Sequence, residues 1–132
     1  MNTLASTQRV LIVDDEALAR ERLRRLLDEL GAVIIVGEAS SGEAAVRLAG
    51  ELKPDVLLLD VRMPGMSGLE AARHLALLPA APAVVFTTAY DSYAIEAFEA
   101  QAIGYLLKPV RIEKLRAALQ RAHHVDREVV ER

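Results

Sequence analysis

Two stretches, Val10-Leu11-Ile12-Val13-Asp14-Asp15 and Val56-Leu57-Leu58-Leu59-Asp60, decide how this chain folds. Each is an unbroken apolar run that ends abruptly in acid. An apolar run of about four residues with no alternation suits a strand covered on both faces, as in a parallel sheet between layers of helices. Three further runs have the same form. Val84-Val85-Phe86 leads into Thr87-Thr88, Tyr105-Leu106-Leu107 into Lys108-Pro109, and Val33-Ile34-Ile35-Val36 into Gly37-Glu38-Ala39. Parallel strands bring their carboxyl ends to one edge of the sheet, so the acids, a hydroxyl and an ammonium are expected to meet there. The run from Val33 brings no evident chemistry to that edge.

The segments between these runs have helical periodicity. Leu23, Leu26, Leu27 and Leu30 form an i, i+3, i+4, i+7 stripe, with charges opposite and Gly31 as a stop. Ser40 and Glu43 make a capping box before an Ala-rich helix that runs toward Lys53-Pro54, and Ser67 and Glu70 make a second box before a helix toward Leu78. Tyr93, Ala94, Ala97 and Phe98 predict a fourth, shorter helix; Ile112, Leu115, Leu119 and Ala122 stripe a fifth. The order is β-α repeated five times, and right-handed crossovers then place helices on both faces of one sheet. The expected fold is a three-layer α/β/α sandwich with five parallel strands and five helices. Only the second strand lacks a polar end, which suits the far edge in the order 2-1-3-4-5 of flavodoxin-like folds. Residues 1–8 read as an N-terminal flank, 9–122 as the domain, and 123–132 as a linker or an extension of the last helix.

Composition bounds the function. With 132 residues, 52% apolar and 27% charged, the chain suits one globular domain. The absence of cysteine removes disulfides and thiolate metal sites and agrees with a cytoplasmic setting. No apolar stretch approaches the roughly 20 residues of a membrane helix, and Met1 to Thr7 lack the basic and apolar regions of a secretory leader. A net charge of -3 offers no general attraction to nucleic acid, and no zinc-finger spacing or dense basic run is present.

Asp14, Asp15 and Asp60 converge at the expected edge. Two carboxylates ~4 Å apart repel by about 4 kcal/mol at an effective dielectric of roughly 20. A hard divalent cation relieves that repulsion. Mg2+ prefers oxygen ligands, keeps several waters, and often joins carboxylates to a phosphoryl group. Lys108 adds an ammonium from another strand. An aspartate held between a cation and a lysine stays ionised and nucleophilic. Asp60 is the candidate nucleophile: it is the middle acid, and the loop Val61-Arg62-Met63-Pro64-Gly65 can fold over it. Attack of its carboxylate on phosphorus gives an aspartyl phosphate, and Mg2+, Lys108 and the Thr88 hydroxyl can position the transferring oxygens.

Each feature alone has an ordinary explanation. An Asp-Asp pair before a helix is usually a cap. A strand-end Thr is usually structural, and Lys-Pro is an ordinary boundary, sometimes with a cis bond. All four on the right strands outweigh those readings. Other candidates are weaker. Gly65-Met66-Ser67-Gly68 is not a nucleophile elbow. His74, His123 and His124 lack ligand spacing, and no Gly-rich phosphate loop precedes a helix. The charged face Arg20, Glu21, Arg22, Arg24 and Arg25 reads as solvated, or else as a place where a partner docks.

From about Arg9 to Ala122 the chain resembles the receiver domain of a two-component response regulator. The motifs that carry this are Leu11-Ile12-Val13-Asp14-Asp15-Glu16, the stretch Leu59-Asp60-Val61-Arg62-Met63-Pro64-Gly65-Met66-Ser67-Gly68, Thr87-Thr88-Ala89, and Leu107-Lys108-Pro109. Thr88 through Phe98 and Gly104 through Val110 are similar to the LytTR (LytR/AlgR-type) subgroup. There a DNA-binding output domain normally follows; none follows here, so the chain reads as a receiver excised from a longer regulator or, less favoured, one that stands alone.

The resemblance implies that Asp60 accepts a phosphoryl group from a phosphohistidine on a sensor histidine kinase. It implies that Asp15, Asp60 and the Arg62 backbone carbonyl ligate Mg2+, with Asp14 acting through bound water. Lys108 is to pair with carboxylate or phosphoryl oxygens, and Thr88 and Tyr105 are to be the switch residues. Arg62 and Tyr90, each two positions beyond a site residue, are expected to tune the phosphoryl lifetime. A homodimer through the fourth helix, fifth strand and fifth helix is plausible in such a domain, and DNA is to be reached only through the absent output domain. The main rival is a Mg2+-dependent phosphohydrolase with an Asp nucleophile. Such enzymes usually place two acids one residue apart after the first strand and need a cap, whereas Asp14 and Asp15 are adjacent and the chain has little room for a cap. A third reading is an interaction module whose acidic site is only structural.

Overall fold

The computed structural model describes residues 7–90 and 102–131. Its elements run β1 (Gln8–Val13), α1 (Ala17–Leu30), β2 (Val33–Ala39), α2 (Gly42–Leu52), β3 (Val56–Asp60), α3 (Gly68–Leu75), β4 (Ala83–Thr88), β5 (Gly104–Leu107) and α4 (Ile112–Glu131). The five strands form one sheet in the order β2-β1-β3-β4-β5, and every pairing is parallel. This is the expected flavodoxin-like topology. Four helices lie among the described residues; the helix expected over Tyr93, Ala94, Ala97 and Phe98 falls outside them. β1 starts at Gln8, a residue assigned above to the flank, because Gln8 already pairs with Val33.

The central strands β1, β3 and β4 are buried on both faces, whereas the edge strands β2 and β5 leave Ile34 and Leu107 exposed. Leu11, Val13, Leu57, Leu59, Val84 and Phe86 face α2 and α3; Val10, Ile12, Val56, Leu58, Val85 and Leu106 face α1 and α4. Successive residues of β1, β3 and β4 thus feed two separate cores, which is why no polar position interrupts them. Leu23 and Leu27 of α1 and Leu115, Leu119 and Ala122 of α4 complete one core; Ala45, Ala49, Leu69, Ala72 and Leu75 complete the other.

Helix ends follow local chemistry with one correction. Gly31 closes α1 at φ 71, a left-handed angle that glycine adopts without strain. Ser67 and Glu70 form the reciprocal box that opens α3. At α2 the cap is Ser41 rather than Ser40: the Ser41 hydroxyl accepts from the Ala44 N–H at 3.1 Å, so Glu43 falls one position short of the box.

Candidate functional site

β1 and β3 are adjacent and in register, Val13 opposite Leu59, so Asp14 and Asp60 leave the sheet side by side. β4 pairs with β3 so that Thr87 lies opposite Asp60, and β5 delivers Lys108 directly after Leu107. A carboxylate oxygen from each of Asp14, Asp15 and Asp60 lies within 4.8 Å of the others. Lys108 Nζ donates to Asp14 Oδ2 at 2.8 Å and lies 3.5 Å from Asp60 Oδ1. Asp14 and Asp60 are buried, whereas Asp15 is exposed. The Lys108-Pro109 bond is cis.

The charges do not balance. Three carboxylates face one ammonium. Burial pushes the Asp60 carboxyl up to about 6, and the charge of Asp14 adds to the effect; Lys108 opposes it, Asp15 reinforces it, and a backbone hydrogen bond from Arg62 offsets part. For Lys108, burial favours the neutral amine, but the bond to Asp14 and the charge of Asp60 outweigh it and hold the ammonium above its ordinary value. Both Asp14 oxygens are already engaged, Oδ1 by the Glu16 N–H at 2.9 Å and Oδ2 by Lys108. Asp15 and Asp60 are therefore the acids with capacity to spare. An all-oxygen cluster with an uncompensated negative charge fits a hard divalent cation.

A match over most of the chain identifies the family. The family model described as the response regulator receiver domain matches residues 10–120. The chain belongs to that family. It is a receiver domain of the two-component type. Over 119 residues it is 54% identical to the positive alginate biosynthesis regulatory protein of Pseudomonas aeruginosa, covering 89% of this chain and 48% of that protein. Over 123 residues it is 43% identical to the sensory transduction protein LytT of Bacillus subtilis, covering 93% and 51%. Both relatives are LytTR-type response regulators, and the chain spans about half of each. Among solved structures, the response regulatory domain of protein mrkE from Klebsiella pneumoniae superposes with a TM-score of 0.80 at 32% identity, covering 89% of this chain and 96% of that one. Receiver domains bind Mg2+ through acidic residues, and response regulators are phosphorylated by sensor histidine kinases.

The remaining candidate residues lie on β4, on β5 and on the loops that follow β3 and β4. Thr88, at the end of β4, is buried, and its hydroxyl accepts from the Tyr90 N–H at 3.1 Å. The Tyr105 hydroxyl donates to the Tyr90 carbonyl, so the Tyr90 residue stands between Thr88 and Tyr105. Arg62, on the loop after β3, places its guanidinium 5.0 Å from the centre of the Tyr90 ring. No helix among the described residues is long and apolar enough to cross a membrane.

Three features escaped the sequence reading. Glu38 on β2 takes Arg20 and Arg24 of α1 as partners, so the second strand does carry chemistry and half of the arginine face is not merely solvated. Arg22 also turns inward, donating to the Val110 carbonyl at 3.0 Å. Gly68 is pressed against the Asp60 backbone. None of the arginine pairings leaves a short local pattern, because the partners lie 14 to 88 residues apart in the chain.

Proposed function

We propose that Asp60 is the phosphoacceptor of this receiver. The observation that carries the reading is the position of its carboxylate, 3.5 Å from the Lys108 ammonium and clustered with oxygens of Asp14 and Asp15. One Asp60 oxygen attacks the phosphorus of a phosphohistidine on a sensor histidine kinase; the P–O bond forms, the P–N bond breaks, and imidazole leaves. Lys108 neutralises oxygens of the transferring group, and Asp14 holds Lys108 in place. Asp15, Asp60 and the Arg62 carbonyl would hold Mg2+, with Asp14 helping through water, and the ion would supply the further positive charge that the site lacks.

Output follows from Thr88. A phosphoryl group that accepts from the Thr88 hydroxyl and draws it toward Asp60 carries the acceptor of the Tyr90 N–H with it, and the Tyr90 carbonyl holds Tyr105. Thr88 and Tyr105 are thereby coupled through one residue, and phosphorylation acts by favouring one of two arrangements. The homodimer is placed through the face that carries β5 and α4. The 9–122 unit is the receiver, cytoplasmic and without a membrane partner. It passes its signal to a LytTR DNA-binding domain outside this chain, and so to transcription.

The test is labelling by radiolabelled acetyl phosphate. Wild type should incorporate label with Mg2+ and lose it with EDTA, and Asp60→Asn should fold but take none. Label retained by folded Asp60→Asn would assign the acceptor elsewhere. Steady turnover of a small phosphate ester would favour a phosphohydrolase.

A further inference from the structure

Asp14 is held at every hydrogen-bonding atom it has. Its N–H donates to the Ala39 carbonyl at 3.1 Å, and its carboxylate takes the Glu16 N–H and Lys108. Its carbonyl oxygen accepts from Arg20 Nη1 at 2.7 Å. The same guanidinium uses Nε to reach Glu38 Oε1 at 3.0 Å, and Glu38 Oε2 is taken by Arg24. Glu38 lies opposite Ile12 on β2, one residue before the strand ends. Arg20 therefore ties the first residue beyond β1 to the end of the neighbouring strand.

We infer that Arg20 is a positioning residue for the acidic site, aiming Asp15 by fixing the Asp14–Asp15 peptide from its carbonyl side. This rests on the receiver reading of the cluster. The peptide unit is planar, so a hydrogen bond to the Asp14 carbonyl also fixes the direction in which the Asp15 N–Cα bond leaves. β1 ends at Val13, and Asp15 is exposed. Its own surroundings hold it less firmly than Asp14 is held. A planar fork that spans two acceptors suits this task, and lysine lacks such a fork. Arg20 and Glu38 are both partly buried, with side-chain exposures of 21% and 29%, which limits the solvent screening that weakens surface pairs.

The sign of one measurement separates positioning from simple charge. Arg20 is a cation near a site that takes a cation, so by Coulomb's law alone its removal should tighten Mg2+ binding. Positioning demands the reverse, because partners that orient metal ligands typically contribute about 10- to 100-fold in affinity. Arg24 is the internal control. It shares Glu38 but makes no contact with Asp14 among the bonds of this cluster.

The experiment is calorimetric titration of MgCl2 into the full chain, without a phosphodonor, for wild type, Arg20→Ala, Arg20→Lys and Arg24→Ala, with thermal unfolding of each. Arg20→Ala should bind Mg2+ about tenfold more weakly or worse, Arg20→Lys should fall between it and wild type, and Arg24→Ala should bind as wild type does. If Arg20→Ala does not fold, Arg20→Lys against Arg24→Ala carries the comparison. Unchanged or tighter binding in the Arg20 variants overturns the inference, as does equal weakening in Arg24→Ala, which would mean general loosening of β2. A wild type that binds no Mg2+ would instead overturn the receiver reading of the cluster, and this inference with it.

Discussion

A side chain on Gly68 would collide with Asp60: a Cβ built there lies 1.9 Å from the Asp60 carbonyl oxygen and 3.0 Å from Val61 Cα. Gly68 opens α3, and its N–H donates to the Val61 carbonyl at 2.8 Å. The chain leaving Asp60 thus folds straight back onto the helix that follows. The obstructing atoms are backbone, so no rotamer change relieves the overlap. Gly68→Ala should destabilise the domain by about 3 kcal/mol or more, beyond the usual cost of overpacking. Gly50→Ala is the contrasting variant: a Cβ there meets nothing within 4 Å, and the helical site should gain about 0.5–1 kcal/mol. Urea unfolding measures both; equal effects would contradict the assignment.

Asp60 gives a pH-dependent prediction whose sign follows from its environment. The folded protein holds this proton up to about 6, against an ordinary value of 3.8. Ionising Asp60 therefore costs more in the folded than in the unfolded chain. The penalty is absent below pH 3.8, grows as pH rises toward 6, and is complete above 6. The rise from 3.8 to about 6 corresponds to up to about 3 kcal/mol. In EDTA, Asp60→Asn should be more stable than wild type at pH 8 and little different at pH 4. Saturating Mg2+ should shrink the gain at pH 8, because the cation then offsets the charge that Asn removes. Denaturant titrations at both pH values decide this; an equal gain at both would remove charge as the cause.

The strands were legible because burial on both faces leaves one pattern, an apolar run cut off by a polar residue. The acids and Lys108 were legible because they sit where those runs stop. The α2 cap was harder to place. Ser40-Ser41-Gly42-Glu43 offers two adjacent serines, and the S-x-x-E spacing favours the first. Packing chooses the second: β2 runs on to Ala39, and a Cβ on Gly42 would lie 2.8 Å from the Met66 carbonyl oxygen, so the helix starts where that loop presses on it. Ser41→Ala should cost about 1 kcal/mol, the usual value of a cap, while Ser40→Ala, at an exposed position, should cost much less. Thermal unfolding of the two variants tests the register. The Arg20–Glu38 pair was invisible for another reason: its members are 18 residues apart, and only the approach of α1 to β2 joins them.

Arg62 and Tyr90 set the last prediction. They lie on the loops after β3 and β4, the strands that carry Asp60 and Thr88, with the guanidinium 5.0 Å from the ring centre. Tyr90 is 50% exposed, so the contact itself is worth only about 0.5–1 kcal/mol. Its consequence is steric. Hydrolysis of an aspartyl phosphate needs water in line with the bond that breaks, and a cation–π pair on the loops that follow β3 and β4 would restrict that approach. Arg62→Ala and Tyr90→Ala should each shorten the lifetime of the phosphorylated form, followed as loss of label after the donor is removed. If the stacked pair is the barrier, either truncation opens it, and the double variant should lose label little faster than the singles. Rate increases that multiply would mean that each side chain shields phosphorus independently. Unchanged rates in both singles would rule out any control of lifetime by this pair.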